Sequence, residues 1–163
     1  MVVLQACIAA LEKEDVQVIL TTGHHPFPDE LLPLPANFHH EAYVPGLAMA
    51  ERSDVLIHHG GYGSCQTGLY AGKPAVIIPT FSERESNARR VAALGAGAIV
   101  SVDGTSGEKR VSAEELRATV RRVLRDPSFR DNARQTGEKL RMYGGAPRAA
   151  DLIEKFTQKG NVR

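Results

Sequence analysis

Apolar positions in this chain recur at helical spacing in some stretches and bunch into short runs in others, and the two patterns alternate. From Val2 to Lys13 the residues Val3, Ala6, Cys7, Ala10 and Leu11 share one helical face. Val16 to Thr21 is a brief β-branched run, the pattern of a strand buried on both sides. Gly23 to Pro35 is rich in glycine and proline and reads as a loop. Phe38 to Val44 reads as a weaker strand, and Pro45-Gly46 turns the chain into a short helix around Leu47 to Glu51. Asp54 to His58 is a further buried strand, followed by a glycine-rich turn from Gly60 to Gly63 and a helix from Ser64 to Ala71. Gly72 closes that helix, because glycine accepts the left-handed conformation past a helix end.

The second half continues the alternation. Ala75 to Pro79 and Ala98 to Val102 read as strands, and the helix between them runs to Leu94, where Gly95 stops it. Ser82 with Glu85 and Ser112 with Glu115 have the spacing of capping boxes. Asp126-Pro127 supplies an N-cap and a first-turn proline for one terminal helix, and Pro147 is expected to open the last. Strands alternating with helices imply an α/β fold: a Rossmann-like, doubly wound parallel sheet with helices on both faces. No repeat or internal boundary divides residues 1–163, so a single domain is expected.

Composition changes this picture only by exclusion. A formal net charge of +1 gives no case for nucleic acid or an anionic membrane as partner, so any anion site must come from local geometry. No apolar run reaches membrane-spanning length, and the N-terminus lacks a basic-then-apolar leader pattern. The two cysteines, Cys7 and Cys65, fit neither a zinc pattern nor a disulfide framework, which suits a reducing, cytoplasmic setting. The six histidines form three adjacent pairs, His24-His25, His39-His40 and His58-His59. Neighbours on a strand face opposite sides, so one pair does not supply two ligands to one metal, and no metal site is expected.

The sharpest chemical signal is the run from Val55 to Ser64, where a buried strand ends in glycines and a helix begins. Amides at a helix start point toward the carboxyl end of the strand, and glycine lets an anion approach the backbone. Ligands of doubly wound sheets bind there. A phosphate or diphosphate is the natural occupant, with His59 and Ser64 as further donors. A tight strand-to-helix turn that needs small residues would look the same in sequence.

His59-Gly60-Gly61-Tyr62-Gly63-Ser64 resembles the donor signature of the nucleotide-sugar glycosyltransferases that include the UDP-glucuronosyltransferases and the bacterial macrolide glycosyltransferases. Tyr43-Val44-Pro45-Gly46 stands where that family carries Trp-x-Pro-Gln. Ala71-Gly72-Lys73-Pro74, Pro79, Asn87 to Val91 and Leu94 to Gly97 are similar to its following motifs, as is Leu124 to Pro127. The resemblance spans essentially the whole sequence and implies the C-terminal, donor-binding half of a GT-B enzyme. It implies that His59 and the amides of Gly61 through Ser64 hold the diphosphate of a UDP- or dTDP-sugar, that Tyr43 stacks on the base, and that the Val44 backbone reads the base edge. No metal or cofactor is implied.

Beyond Tyr43 and Gly46, three more positions depart from the family pattern. Thr67 replaces a ribose-gripping glutamate, and Glu83-Arg84 replaces an Asp-Gln pair that holds sugar hydroxyls. Arginine prefers planar anions, so Arg84 points to an acidic sugar or an extra phosphate contact. The acceptor site and general base belong to the family's N-terminal domain, so no catalytic residue is expected here and an N-terminal domain or separate subunit is the expected partner. The family's domain also opens with a strand ahead of the helix at Val2. Without that strand, its neighbours would keep unpaired edges, which would favour homodimerisation by strand pairing. Two alternatives remain: a non-catalytic nucleotide-binding or regulatory module of the same fold, and an NAD-type dinucleotide-binding domain. Gly61-x-Gly63 is part of the dinucleotide fingerprint, but Gln66 holds its third glycine position. An esterase-type role for Ser64 lacks the Gly-x-Ser-x-Gly spacing.

Overall fold

The computed structural model describes residues 2–104 and 109–160. Helix α1 (Val2–Leu11) leads to β1 (Val18–Thr21), and a loop with one 3-10 turn (Asp29–Leu31) leads to β2 (Phe38–Glu41). Then follow α2 (Gly46–Arg52), β3 (Leu56–His58), α3 (Tyr62–Ala71), β4 (Ala75–Ile77), α4 (Ser82–Ala93) and β5 (Gly97–Ile99). Three helices finish the chain: α5 (Ala113–Arg125), α6 (Pro127–Met142) and α7 (Gly145–Gly160).

All strand pairs are parallel, as the alternation requires, but the hydrogen bonds form two sheets: β1 with β2, and β3-β4-β5. β4 is central in the larger sheet and every residue in it is buried. Its alternation feeds two cores. Val76 and Ile78 join Ala6, Cys7, Leu11, Leu20, Phe38, Leu116 and Val120 on the side of α1 and α5. Ala75 and Ile77 join Cys65, Leu69, Ala88, Val91 and Ala133 on the side of α3, α4 and α6. Helices thus cover both faces, each burying one apolar stripe.

Glycine sets two close approaches. A Cβ on Gly97, within β5, would stand 2.5 Å from the Ala75 carbonyl oxygen and 3.0 Å from Val91. A Cβ on Gly137 would stand 2.6 Å from the Leu69 carbonyl oxygen, so α6 can lie against α3 only with glycine there. Gly72, with φ of 69°, ends α3 in the left-handed conformation the sequence predicts.

Polar side chains close the other helix ends. Ser112 caps α5 by accepting the Glu115 N–H at 3.2 Å, while the Glu115 carboxylate takes the Ser101 N–H instead of returning to the cap. The capping box is therefore half formed. Asp126 caps α6 through the Ser128 N–H at 2.9 Å, with Pro127 in the first turn. Arg117 donates to the carbonyls of Ala9 and Ala10, which the end of α1 leaves without helical partners. Asn37 Nδ2 donates to the carbonyls of Leu11 and Val16, tying β2 to the α1–β1 connection.

Some predicted boundaries move. The strands are shorter than the apolar runs, although single backbone bonds such as Ile78 N–H to the His58 carbonyl continue past their ends. α4 has Phe81, not Ser82, at its N-cap, and Phe81 makes no side-chain cap bond. α7 starts at Gly145, which puts Pro147 third in the helix. Its Leu152, Ile153 and Phe156 are exposed. α3 begins at Tyr62, so Gly63 lies inside its first turn and the glycine turn proper is only Gly60-Gly61.

Candidate functional site

The ends of β1 and β3, the start of α3 and the residues around Thr80 border one cleft of about 1480 Å³. Val44, His59, Gly63, Ser64, Thr67 and Arg84 all line it, together with Thr80 and Met49. These positions, scattered over some forty residues of sequence, meet because parallel strands carry their outgoing loops to the same edge. Tyr43, Gly60, Gly61, Tyr62 and Glu83 lie outside that wall.

Gly60 makes the turn. Its φ of 84° is the left-handed geometry that favours glycine, and a Cβ there would stand 2.8 Å from the Arg84 carbonyl oxygen. The Gly60 N–H donates to Nδ1 of His58 at 3.1 Å, and Asn87 Nδ2 donates to the Gly60 carbonyl at 3.0 Å. The same amide nitrogen of Asn87 lies 2.6 Å from Glu83 Oε1. α4 is thereby pinned to the turn, and Glu83 is engaged in holding it. Gly61 is extended (φ −59°, ψ 145°) and sits at the N-cap of α3. The His59 ring folds over it so closely that a Cβ on Gly61 would be 2.6 Å from His59 Nε2. Gly60 therefore serves both backbone conformation and space, and Gly61 serves space alone.

His59 is half-buried. Burial first, then the Arg84 guanidinium, lowers its pKa, while the Glu83 carboxylate opposes them. It is a neutral imidazole next to a helix N-terminus, where partial positive charge gathers. His58 borders the same cleft but is more deeply buried. Burial, aided by His59, pushes its pKa down to about 4. Its Nδ1 accepts from Gly60, so the proton sits on Nε2, which is buried and without a hydrogen-bond partner among the described residues. Sequence reading missed His58, because nothing but tertiary burial separates it from an ordinary strand-end histidine.

Arg84 donates to the Thr80 hydroxyl, and its guanidinium carbon lies 4.7 Å from the centre of the Phe81 ring. Lys109 meets the same ring at 4.6 Å and donates to the Thr80 carbonyl. The exposed Phe81 thus gathers two cations at the rim of the cleft. Lys109 was also missed, because twenty-five residues separate it from Arg84. Tyr43 is exposed, and one face of its ring already carries His24, stacked at 4.9 Å with an 8° interplanar angle. His39 pairs with Gln17 and His40 with Thr22, while His25 lines the cleft. Among the described residues, no three His, Cys, Asp or Glu side chains converge as metal ligands. Cys65 is buried, and burial together with Glu83 raises its pKa, which disfavours a thiolate.

Residues 5–155 match the family described as erythromycin biosynthesis protein CIII-like, C-terminal domain. The chain belongs to that family. It is 34% identical to the NDP-glycosyltransferase YjiC of Bacillus subtilis (strain 168), over 96% of this chain and 38% of that protein. It is 36% identical to the 4'-demethylrebeccamycin synthase of Lentzea aerocolonigenes, over 93% of this chain and 34% of that one. In structure it is similar to the glycosyltransferase of kitacinnamycin (TM-score 0.81, 33% identity, 93% of this chain, 38% of that one). It is likewise similar to CalG4, the calicheamicin glycosyltransferase (TM-score 0.82, 27% identity, 98% of this chain, 38% of that one). The chain therefore spans under two fifths of these relatives. The GT-B donor-domain architecture expected from the motifs is the architecture found. No described helix is long and apolar enough to cross a membrane.

Proposed function

We propose that this domain binds the nucleoside diphosphate of a UDP- or dTDP-sugar and supplies the donor half of a glycosyl transfer. One observation carries the reading: His59, Gly63, Ser64, Thr67 and Arg84 line one cleft at the carboxyl end of a parallel sheet, where α3 begins behind a glycine turn. The amides at the start of α3 and the His59 imidazole would receive the diphosphate. As the glycosidic bond breaks, negative charge grows on that leaving group, and donors already in place stabilise it most at that moment. The open face of Tyr43 would take the base, with Val44 at its edge. Arg84 would lie near the sugar or the distal phosphate, and Thr67 near the ribose. The base that deprotonates the acceptor belongs to a further domain or subunit, as the longer relatives suggest.

Calorimetric titration with UDP and dTDP, with NAD as control, tests the reading. Saturable binding of a UDP or dTDP species, weakened in His59→Ala, is expected. A folded chain that binds NAD and neither diphosphate would replace it with the dinucleotide alternative. Donor binding with no turnover when an acceptor domain is added would leave a non-catalytic module.

A further inference from the structure

Parallel pairing of β1 with β2 sets their outgoing loops side by side, with Thr21 opposite Glu41 in the last step of the register. The His25 N–H donates to the Thr22 carbonyl at 3.2 Å and closes a four-residue turn after β1. The two central residues of that turn, Gly23 and His24, have φ of 63° and 69°, the signs of a type I′ turn. Glycine takes this conformation freely, whereas the Cβ of histidine crowds the neighbouring carbonyl. Among the described residues, His24 is the only non-glycine with positive φ.

The strained conformation puts His24 in contact with Tyr43, on the loop after β2. The His24 N–H donates to the Ala42 carbonyl at 2.9 Å, and its ring stacks on the Tyr43 ring at 4.9 Å with planes 8° apart. The turn itself is braced. The Thr22 hydroxyl donates its one proton to the His25 carbonyl at 2.6 Å, so His40 Nε2 donates to the same hydroxyl oxygen at 3.0 Å. The His40 ring packs in turn against Phe27 at 4.6 Å. Thr22, His25 and Val44, which flank the stacked pair, line the cleft, so the pair stands at its rim. Tyr43 is 61% exposed. Without a neighbour, so exposed a ring would turn among rotamers, and fixing it on ligand binding would weaken affinity. His24 covers one face of the ring and leaves the other open, and no base can enter between two rings already in contact.

We propose that His24 is a positioning residue for Tyr43, stacked behind the tyrosine ring so that its opposite face is already presented to the pyrimidine of the donor nucleotide. The bound state is a three-layer stack of His24, Tyr43 and base. This role rests on the donor-binding reading of the cleft, and it accounts for a histidine at a turn position that favours glycine.

Calorimetric titration of the full chain compares UDP and dTDP with pyrophosphate, which shares their anion and lacks the base. His24→Gly keeps the left-handed turn and removes the ring. In that variant nucleotide affinity should fall at least about threefold and pyrophosphate affinity should stay within about twofold of the parent, because only the base meets Tyr43. His24→Asn, which also tolerates the left-handed conformation, should behave as His24→Gly does. His24→Phe keeps a ring to stack and should restore nucleotide binding to within about twofold of the parent. Unchanged or tighter nucleotide binding by His24→Gly would overturn the proposal, the latter because the ring would then compete with the base for Tyr43. Equal losses for nucleotides and pyrophosphate would overturn it too, since the turn would then act on the whole site, as would failure of His24→Phe to restore binding. A parent chain that binds pyrophosphate and neither nucleotide would overturn it while leaving the anion site standing. A parent that binds none of the three would remove the donor reading itself, and this role with it.

Discussion

The backbone N–H of Gly60 donates to Nδ1 of His58 at 3.1 Å, so the side chain that ends β3 holds the glycine turn on which His59 depends. That bond requires an unprotonated Nδ1. Burial lowers the His58 pKa to about 4, against an ordinary value of 6.5. The folded state resists a proton that the unfolded state accepts, so this contribution to stability is complete above pH 6.5. It is lost as pH falls toward 4, by an amount on the order of 3 kcal/mol. Urea unfolding between pH 7 and pH 4 should show this fall, and His58→Asn should flatten it. A parallel loss in the variant would assign the effect to other groups.

His59→Ala should keep the fold and weaken UDP or dTDP binding at least tenfold, the scale of a hydrogen bond to a charged group, about 1.5–3 kcal/mol. The free imidazole is held neutral by burial and by Arg84. A bound diphosphate opposes both influences and raises its pKa. Binding near neutral pH should therefore take up protons, seen as a dependence of the calorimetric enthalpy on the ionisation heat of the buffer. The dependence should vanish in His59→Ala.

Gly61 and Gly63 separate two uses of glycine. Gly61→Ala would place a methyl 2.6 Å from His59 Nε2 and must rotate that ring away, so donor affinity should fall much as in His59→Ala. A Cβ on Gly63 meets nothing within 4 Å, and the residue lies in the first turn of α3. Gly63→Ala should raise unfolding stability by about 0.5–1 kcal/mol while weakening diphosphate binding, because only the ligand would meet the methyl. Stability and affinity moving together would refute this division.

Gly97→Ala and Gly137→Ala should each destabilise the domain by about 2 kcal/mol or more, because the new methyl meets backbone carbonyls that cannot move alone. Thermal unfolding checks both, and a change under about 0.5 kcal/mol would show that the strand or helix shifts freely.

Arg84 should favour an anionic sugar. Binding of UDP-glucuronate should exceed that of UDP-glucose, and Arg84→Gln should erase the difference. Equal affinities in the parent chain would remove Arg84 from sugar selection.

Much of this protein was legible in sequence because its signals are local. Apolar spacing marked α1 and the short apolar runs marked the buried strands, since such patterns record which face is buried. Gly72 after α3 and Asp126-Pro127 before α6 marked their ends, since those conformations belong to particular residues. The ordered motifs around His59 indicated the family, and the glycine turn indicated an anion. Tertiary structure decided what depends on residues far apart. It alone sets the burial that keeps His58 neutral, the stacking of His24 on Tyr43, and the meeting of Lys109 with Arg84 over Phe81. It also decides which strands pair and in what register, β1 with β2, β3 with β4 and β4 with β5, because strand pairing is a contact between distant segments that no local pattern encodes.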